Sequence, residues 1–242
     1  MTRRTRLPTC CRLIVLAAAI TAGLLPSPSV SASQRLIIRT DDGINLSATW
    51  YEPSTRPGPA VILVHMLQRS RRDWDATASA LASAGIGALA LDLRGHGESQ
   101  GGAGDFSAMV QDLKAVRRLL MTRSDVVPNR IGIAGASLGA NLAALAAADD
   151  PSIVSLALLS PSLDYRGLRI EGAMKKYGAR PVLLVVSDED SYAARSAREL
   201  QKAGGGKRET LMLSQAGHGT TMLVRNPELA GSLVDWFRRT LL

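Results

Sequence analysis

"IGIAGASLGANLAALAAADD", residues 131–150, passes from a β-branched apolar stretch through Gly135-Ala136-Ser137-Leu138-Gly139 into an alanine-rich segment that favours a helix. A buried strand that turns at once into a helix leaves its corner residue at the carboxyl edge of a sheet. A serine there can serve as an ordinary N-cap, or its hydroxyl can be put to chemical use. The spacing G-x-S-x-G between strand and helix favours the second: the tight corner strains the serine backbone, and only small neighbours let the chain pass. The hydroxyl then stands clear, and the helix starting at Leu138 aims its amide N–H groups at the place where an oxyanion would form. Ser137 is the candidate nucleophile, and the Leu138 amide is a candidate oxyanion donor.

Outward from this corner, strands and helices alternate. Residues 35–52 read as an antiparallel hairpin turning at Asp42-Gly43. "AVILVH" is apolar at consecutive positions, as in a strand buried on both faces. Helices are expected around Asp73–Ala84, Phe106–Arg123, Leu138–Ala148, Leu168–Tyr177 and Tyr192–Ala203, with strands "IGALALD", "RIGIAG", "IVSLALLS", "PVLLVVS" and "ETLMLS" between them. A last helix is expected from Pro227, capped by Asn226, with Leu229, Leu233, Trp236 and Phe237 on one face. This order predicts an α/β fold: a mostly parallel sheet of about eight strands with helices on both faces and an antiparallel start.

A serine hydroxyl needs a base. Of the histidines, His65, His96 and His218, only His218 follows every candidate acid, which fits the chain order serine, acid, histidine expected when the nucleophile sits on such a corner. His218 is the candidate base; His65 and His96 suit loop-organising hydrogen bonds. "VVSDEDS" offers Asp188, Glu189 and Asp190 as the acid, and "LLSPSLD" offers Asp164.

The stretches "VILVHMLQRSRRDW", "DLRGHGES", "GASLG", "SDEDS" and "GHG", which cover most of residues 60–220, resemble the α/β-hydrolase family, in particular its dienelactone-hydrolase-like and serine-aminopeptidase-like members. The resemblance implies a G-x-x-D turn after the strand "PVLLVVS", which selects Asp190. It also implies a His-Gly-x stretch whose third residue gives the second oxyanion N–H. Here the pair is His65-Met66, so Leu67 is the expected donor beside Leu138, with Met66 as the alternative. No cofactor or metal is implied. Only residues 161–180 separate "LALLS" from "PVLLVVS", too few for a large lid, which predicts an open cleft and short acyl groups.

Arg3, Arg4, Arg6 and Arg12 flank the amino-terminal side of an apolar run, Leu13–Leu25, and "PSPSVSA" follows with Val30 and Ala32 at the positions a signal peptidase prefers. Residues 1–32 are therefore expected to be a signal peptide, residues 33–242 the hydrolase domain, and the mature protein secreted or periplasmic, without stable membrane insertion. Its removal would take both cysteines, Cys10 and Cys11, and four arginines, lowering the formal charge from +8 to +4. With 4% aromatic residues and dispersed basic ones, the chain lacks the basic stripe that nucleic-acid binding needs.

A serine at the corner excludes a dehalogenase, which needs a carboxylate there. Hydrolysis of a small carboxylic ester is the expected activity. An aminopeptidase, amidase or thioesterase would use the same side chains, and a non-catalytic binding protein on this fold is a different class of alternative. Arg69, Arg71 and Arg72 either read a substrate carboxylate or form a solvated helix entry.

Overall fold

The computed structural model describes residues 1–2 and 32–242; the expected signal peptide lies almost wholly outside the described residues. Two strands, β1 (Ser33–Arg39) and β2 (Asn45–Tyr51), pair antiparallel across the turn at Asp42-Gly43. There follow β3 (Gly58–Val64), a 3-10 turn (Arg71–Trp74), α1 (Asp75–Ser83), β4 (Gly87–Leu91), α2 (Phe106–Thr122), β5 (Val126–Ala136), α3 (Leu138–Ala148) and β6 (Ile153–Leu159). The rest comprises a hairpin of β7 (Asp164–Tyr165) and β8 (Leu168–Arg169), α4 (Glu171–Tyr177), β9 (Val182–Ser187), α5 (Ser191–Lys202), β10 (Arg208–Leu213), α6 (Thr221–Arg225) and α7 (Glu228–Leu241).

The main sheet has eight strands in the order β1-β2-β4-β3-β5-β6-β9-β10. β2 meets β4 antiparallel, and from β4 onward every neighbour is parallel. All of β3 is buried, and its residues alternate between two apolar layers: Ala60, Ile62 and Val64 face α2 and α3, while Val61 and Leu63 face α1 and α7. The second layer closes tightly. A Cβ on Gly132 of β5 would come within 2.7 Å of the Phe237 ring of α7, so a glycine is what lets that helix lie on the sheet. Among the described residues, no helix is long and apolar enough to cross a membrane.

Three local features differ from the sequence expectation. The helix expected from Leu168 starts at Glu171, because residues 164–169 form the β7–β8 hairpin. A short helix, α6, precedes the last one. Asn226 makes no side-chain cap: it ends α6, and its carbonyl accepts from the Leu229 N–H while Pro227 occupies the cap position of α7.

Candidate active site

Between β5 and α3 there is one residue, Ser137, with φ of 51° and ψ of −113°. That left-handed backbone is costly for a non-glycine residue, and the glycines on either side explain how the corner closes. A Cβ on Gly135 would lie 2.2 Å from the Gly139 carbonyl oxygen, and one on Gly139 would lie 2.4 Å from that of Val64. The Ser137 amide is held by the Leu159 carbonyl of β6 at 2.8 Å. Its side chain makes no cap bond to α3; it is hydrogen-bonded to His218 Nε2 instead, at 2.8 Å.

His218 lies in the loop after β10, with Nδ1 at 2.5 Å from Asp190 Oδ2. Asp190 caps α5, its other oxygen accepting from the Ala193 N–H at 3.2 Å. The structure thus brings three of the sequence-selected residues into one hydrogen-bonded chain, Asp190–His218–Ser137. Asp188 points elsewhere. The Gln215 N–H and the Ser214 hydroxyl, each at 2.8 Å, bind it and hold its carboxyl below the usual carboxylate range. Glu189 pairs with Arg225, and Asp164 is bound by Arg169 and the Gly167 N–H in the exposed hairpin.

His65 fixes the loop after β3. Its Nε2 accepts from the Leu93 N–H at 3.0 Å, so Nδ1 carries the proton and donates to the Met66 carbonyl at 2.7 Å. Burial lowers its pKa to about 4, which keeps the ring neutral. Because C=O and N–H of a trans peptide point opposite ways, the anchored Met66 carbonyl turns the Leu67 N–H away from the His65 ring. The Met66 N–H belongs to the preceding peptide, whose His65 carbonyl oxygen lies close to Gly139 of α3. Neither Leu67 nor Leu138 donates its amide to another described residue. His96 binds the Arg94 carbonyl at 3.0 Å and packs against the His65 ring, 5.3 Å between centroids.

Sequence reading missed the residues that pin the His218 loop. Ser160 just past β6 and Ser187 at the end of β9 are buried, and their hydroxyls accept from the N–H groups of Gly219 and Ala216, each at 3.0 Å. Thr220 completes the set by donating to Asp73. A serine closing an otherwise apolar strand, as in "LALLS" and "VLLVVS", was the available signal. Of the three arginines after the β3 loop, Arg69 pairs with Asp73 at 2.8 Å and Arg72 is exposed. Arg71 is buried at 3% exposure between Asp92 and Glu98, so it is neither a substrate contact nor a solvated residue.

A cavity of about 340 Å³ opens over Ser137 and His218, walled by Ser160, Tyr165, Arg166 and Tyr192. Among the described residues, no group of three or more histidine, cysteine, aspartate or glutamate side chains could hold a metal ion.

The fold and its family place the protein among the α/β-hydrolases. Residues 55–179 match the family model of the serine aminopeptidase, S33 (Hydrolase_4), and the chain belongs to that family. An uncharacterized protein of Mycobacterium tuberculosis is 35% identical over 144 residues, which are 58% of this chain and 50% of the relative, so the chain spans about half of that protein's length. Among solved structures, a dienelactone hydrolase from Anabaena variabilis superposes with a TM-score of 0.74 at 19% identity, over 88% of this chain and 100% of its own. A thermostable carboxylesterase from a metagenomic library gives 0.70 at 19%, over 89% and 91%. At such identities these two share the fold.

Proposed function

We propose that the protein cleaves small carboxylic esters by acyl transfer to Ser137. The observation that carries this is the unbroken hydrogen-bonded chain from Asp190 through His218 to a serine held at a strained corner. In the proposed cycle, Ser137 Oγ attacks the ester carbonyl while its proton passes to His218 Nε2, and Asp190 holds the ring by the Nδ1–H and offsets its positive charge. The oxyanion is held by the N–H groups of Leu67 and Leu138. The tetrahedral intermediate then collapses, His218 returns the proton to the departing alcohol, and water activated by the same ring releases the acid.

The connection between β6 and β9 holds only a two-residue-a-side hairpin and the seven-residue α4. With no lid to bury a long chain, lengthening the acyl group gains little of the roughly 0.8 kcal/mol that each buried methylene contributes. Acetyl to butyryl esters are the preferred substrates. The arginine-flanked apolar run before Ser33 supports action outside the cytoplasm. A peptidase reading, which the family's description suggests, needs a free carboxylate to take a substrate ammonium; Asp164 lines the cleft but is bound by Arg169 and Gly167.

Specificity constants for p-nitrophenyl esters from acetate to palmitate, measured with wild type and Ser137→Ala, test the reading. Activity highest from acetate to butyrate and lost in the variant is the expected result. A rise beyond octanoate overturns the short-acyl part, and a variant as active as wild type overturns the whole.

A further inference from the structure

The β7–β8 hairpin carries an arginine where one is not expected. Asp164 pairs with Arg169 and Tyr165 with Leu168, so the loop is the two residues Arg166-Gly167, with φ of 49° and 91°. Two positive φ values define a turn that favours Asn, Asp or Gly at its first position. Arg166 occupies it at a cost in backbone strain. Backbone outliers of this kind concentrate where a side chain is held for use.

The side chain lies where such a use exists. Arg166 lines the cavity over Ser137 and His218, and it also lines a second cavity of about 550 Å³ bounded by Leu67, Gly97 and Phe106. The two hollows therefore share Arg166, one holding Ser137 and His218 and the other Leu67. Among the described residues, no carboxylate pairs with Arg166; its guanidinium sits 5.7 Å from the centre of the Tyr165 ring. The other charged groups lining these hollows are engaged. Arg69 is paired with Asp73, and Asp164 with Arg169. The net unpaired charge facing the cleft is thus one cation with a planar fork suited to a carboxylate.

From this we infer that the substrate is an ester carrying a second, anionic group, a carboxylate, which Arg166 binds while Ser137 attacks the ester carbonyl. The inference rests on the esterase reading above and names its substrate class. Arg166 acts as a specificity residue and takes no part in bond making. Because Arg166 is a solvent-exposed residue, the ion pair it forms is of the weak, salt-sensitive kind, and its removal costs about fivefold in preference rather than orders of magnitude.

The test uses two matched pairs of alkyl esters followed by titration of released acid: monoethyl glutarate against ethyl valerate, with the charge on the acyl side, and acetoxyacetate against propyl acetate, with the charge on the alcohol side. Wild type is expected to favour the charged member of at least one pair, and rising ionic strength to erode that preference. Arg166→Gln is expected to lower the charged-to-neutral ratio of kcat/KM about fivefold. Arg166→Asn, which suits the left-handed turn and keeps the hairpin, is expected to do the same. Arg130→Gln, which removes the same charge at the far, amino-terminal end of β5, leaves the ratio unchanged. Hydrolysis of both pairs with ratios that neither Arg166 variant alters overturns the inference and leaves the esterase reading standing. A folded wild type that cleaves none of the four esters overturns that reading, and the inference falls with it.

Discussion

The loop after β3 and the loop after β10 each bring one histidine to the Ser137 corner, and their surroundings give the two rings opposite capacities. The His218 side chain is 48% exposed and lies between a carboxylate and a hydroxyl. His65 is 0% exposed, and both its nitrogens are committed to backbone groups. In the proposed cycle a proton arriving at His218 Nε2 comes from the serine and is balanced by Asp190. A proton arriving at His65 Nε2 would face the Leu93 N–H, donor against donor, in a site closed to solvent. Solvent access and the kind of partner, more than residue type or nearness to the serine, separate a proton-transfer group from a scaffold group.

The largest effect that can break this comparison is loss of the exposed side. His218→Ala and Ser137→Ala are each expected to lower kcat on short esters by about 10⁴- to 10⁶-fold, with thermal melting close to wild type. A His218→Ala enzyme that keeps more than a few per cent of activity would place the base elsewhere. Next in size is the orienting carboxylate. Asp190→Asn is expected to cost about 10⁴-fold, because only a carboxylate on Nδ1 holds the working tautomer, whereas Asp188→Asn, which loosens the Ser214-Gln215 turn, costs less than about tenfold. A reversal of that order would move the acid to Asp188.

The buried side is tested by two readouts. His65→Ala frees the Met66 carbonyl and with it the direction of the Leu67 N–H, so kcat on short esters is expected to fall by about 10²-fold, the effect of one oxyanion donor. The wild-type protein also owes a pH dependence of stability to this ring. The unfolded ring takes up a proton near its ordinary 6.5, while the folded one resists until about 4, so the unfolded state binds more protons between those values. Stability is therefore fully present above about pH 6.5 and is lost as pH falls toward 4, by about 3 kcal/mol in all. Denaturant midpoints across that window are expected to flatten in His65→Ala; an unchanged slope would deny the buried, neutral state of the ring.

The smallest effect concerns Arg166, one of three residues with a left-handed backbone that line the same cleft, beside Ser137 and Ser160. Arg166→Asn relieves the left-handed turn and is expected to raise unfolding free energy by up to about 1 kcal/mol. No gain would mean that the hairpin carries no strain at that position.

How much of this was legible in sequence follows from the range of each signal. The corner was readable because its signature is local, a serine between two glycines where an apolar strand meets a helix former, although only Gly135 is required by the turn itself and Gly139 by the Val64 and His65 carbonyls at the end of β3. β3 was readable because seven consecutive buried positions leave no polar phase. The β7–β8 strands of two residues each and the five-residue α6 carry too little periodicity to register. The Asn226 cap failed because α6 runs up to that residue and claims it. The roles of Ser160 and Ser187 depend on amides 59 and 29 residues away, which no local pattern announces. Arg71 was misjudged for the same reason, since Asp92, which draws it inside, comes from the end of another strand.

Labelling with a fluorophosphonate, which traps a serine only where a base removes its proton and donors hold the phosphoryl oxygen, tests the central claim most directly. Mass mapping of the treated wild-type protein is expected to find one adduct, on Ser137, formed far more slowly in His218→Ala and absent in Ser137→Ala. An adduct on another residue, or none on folded protein, would contradict the account.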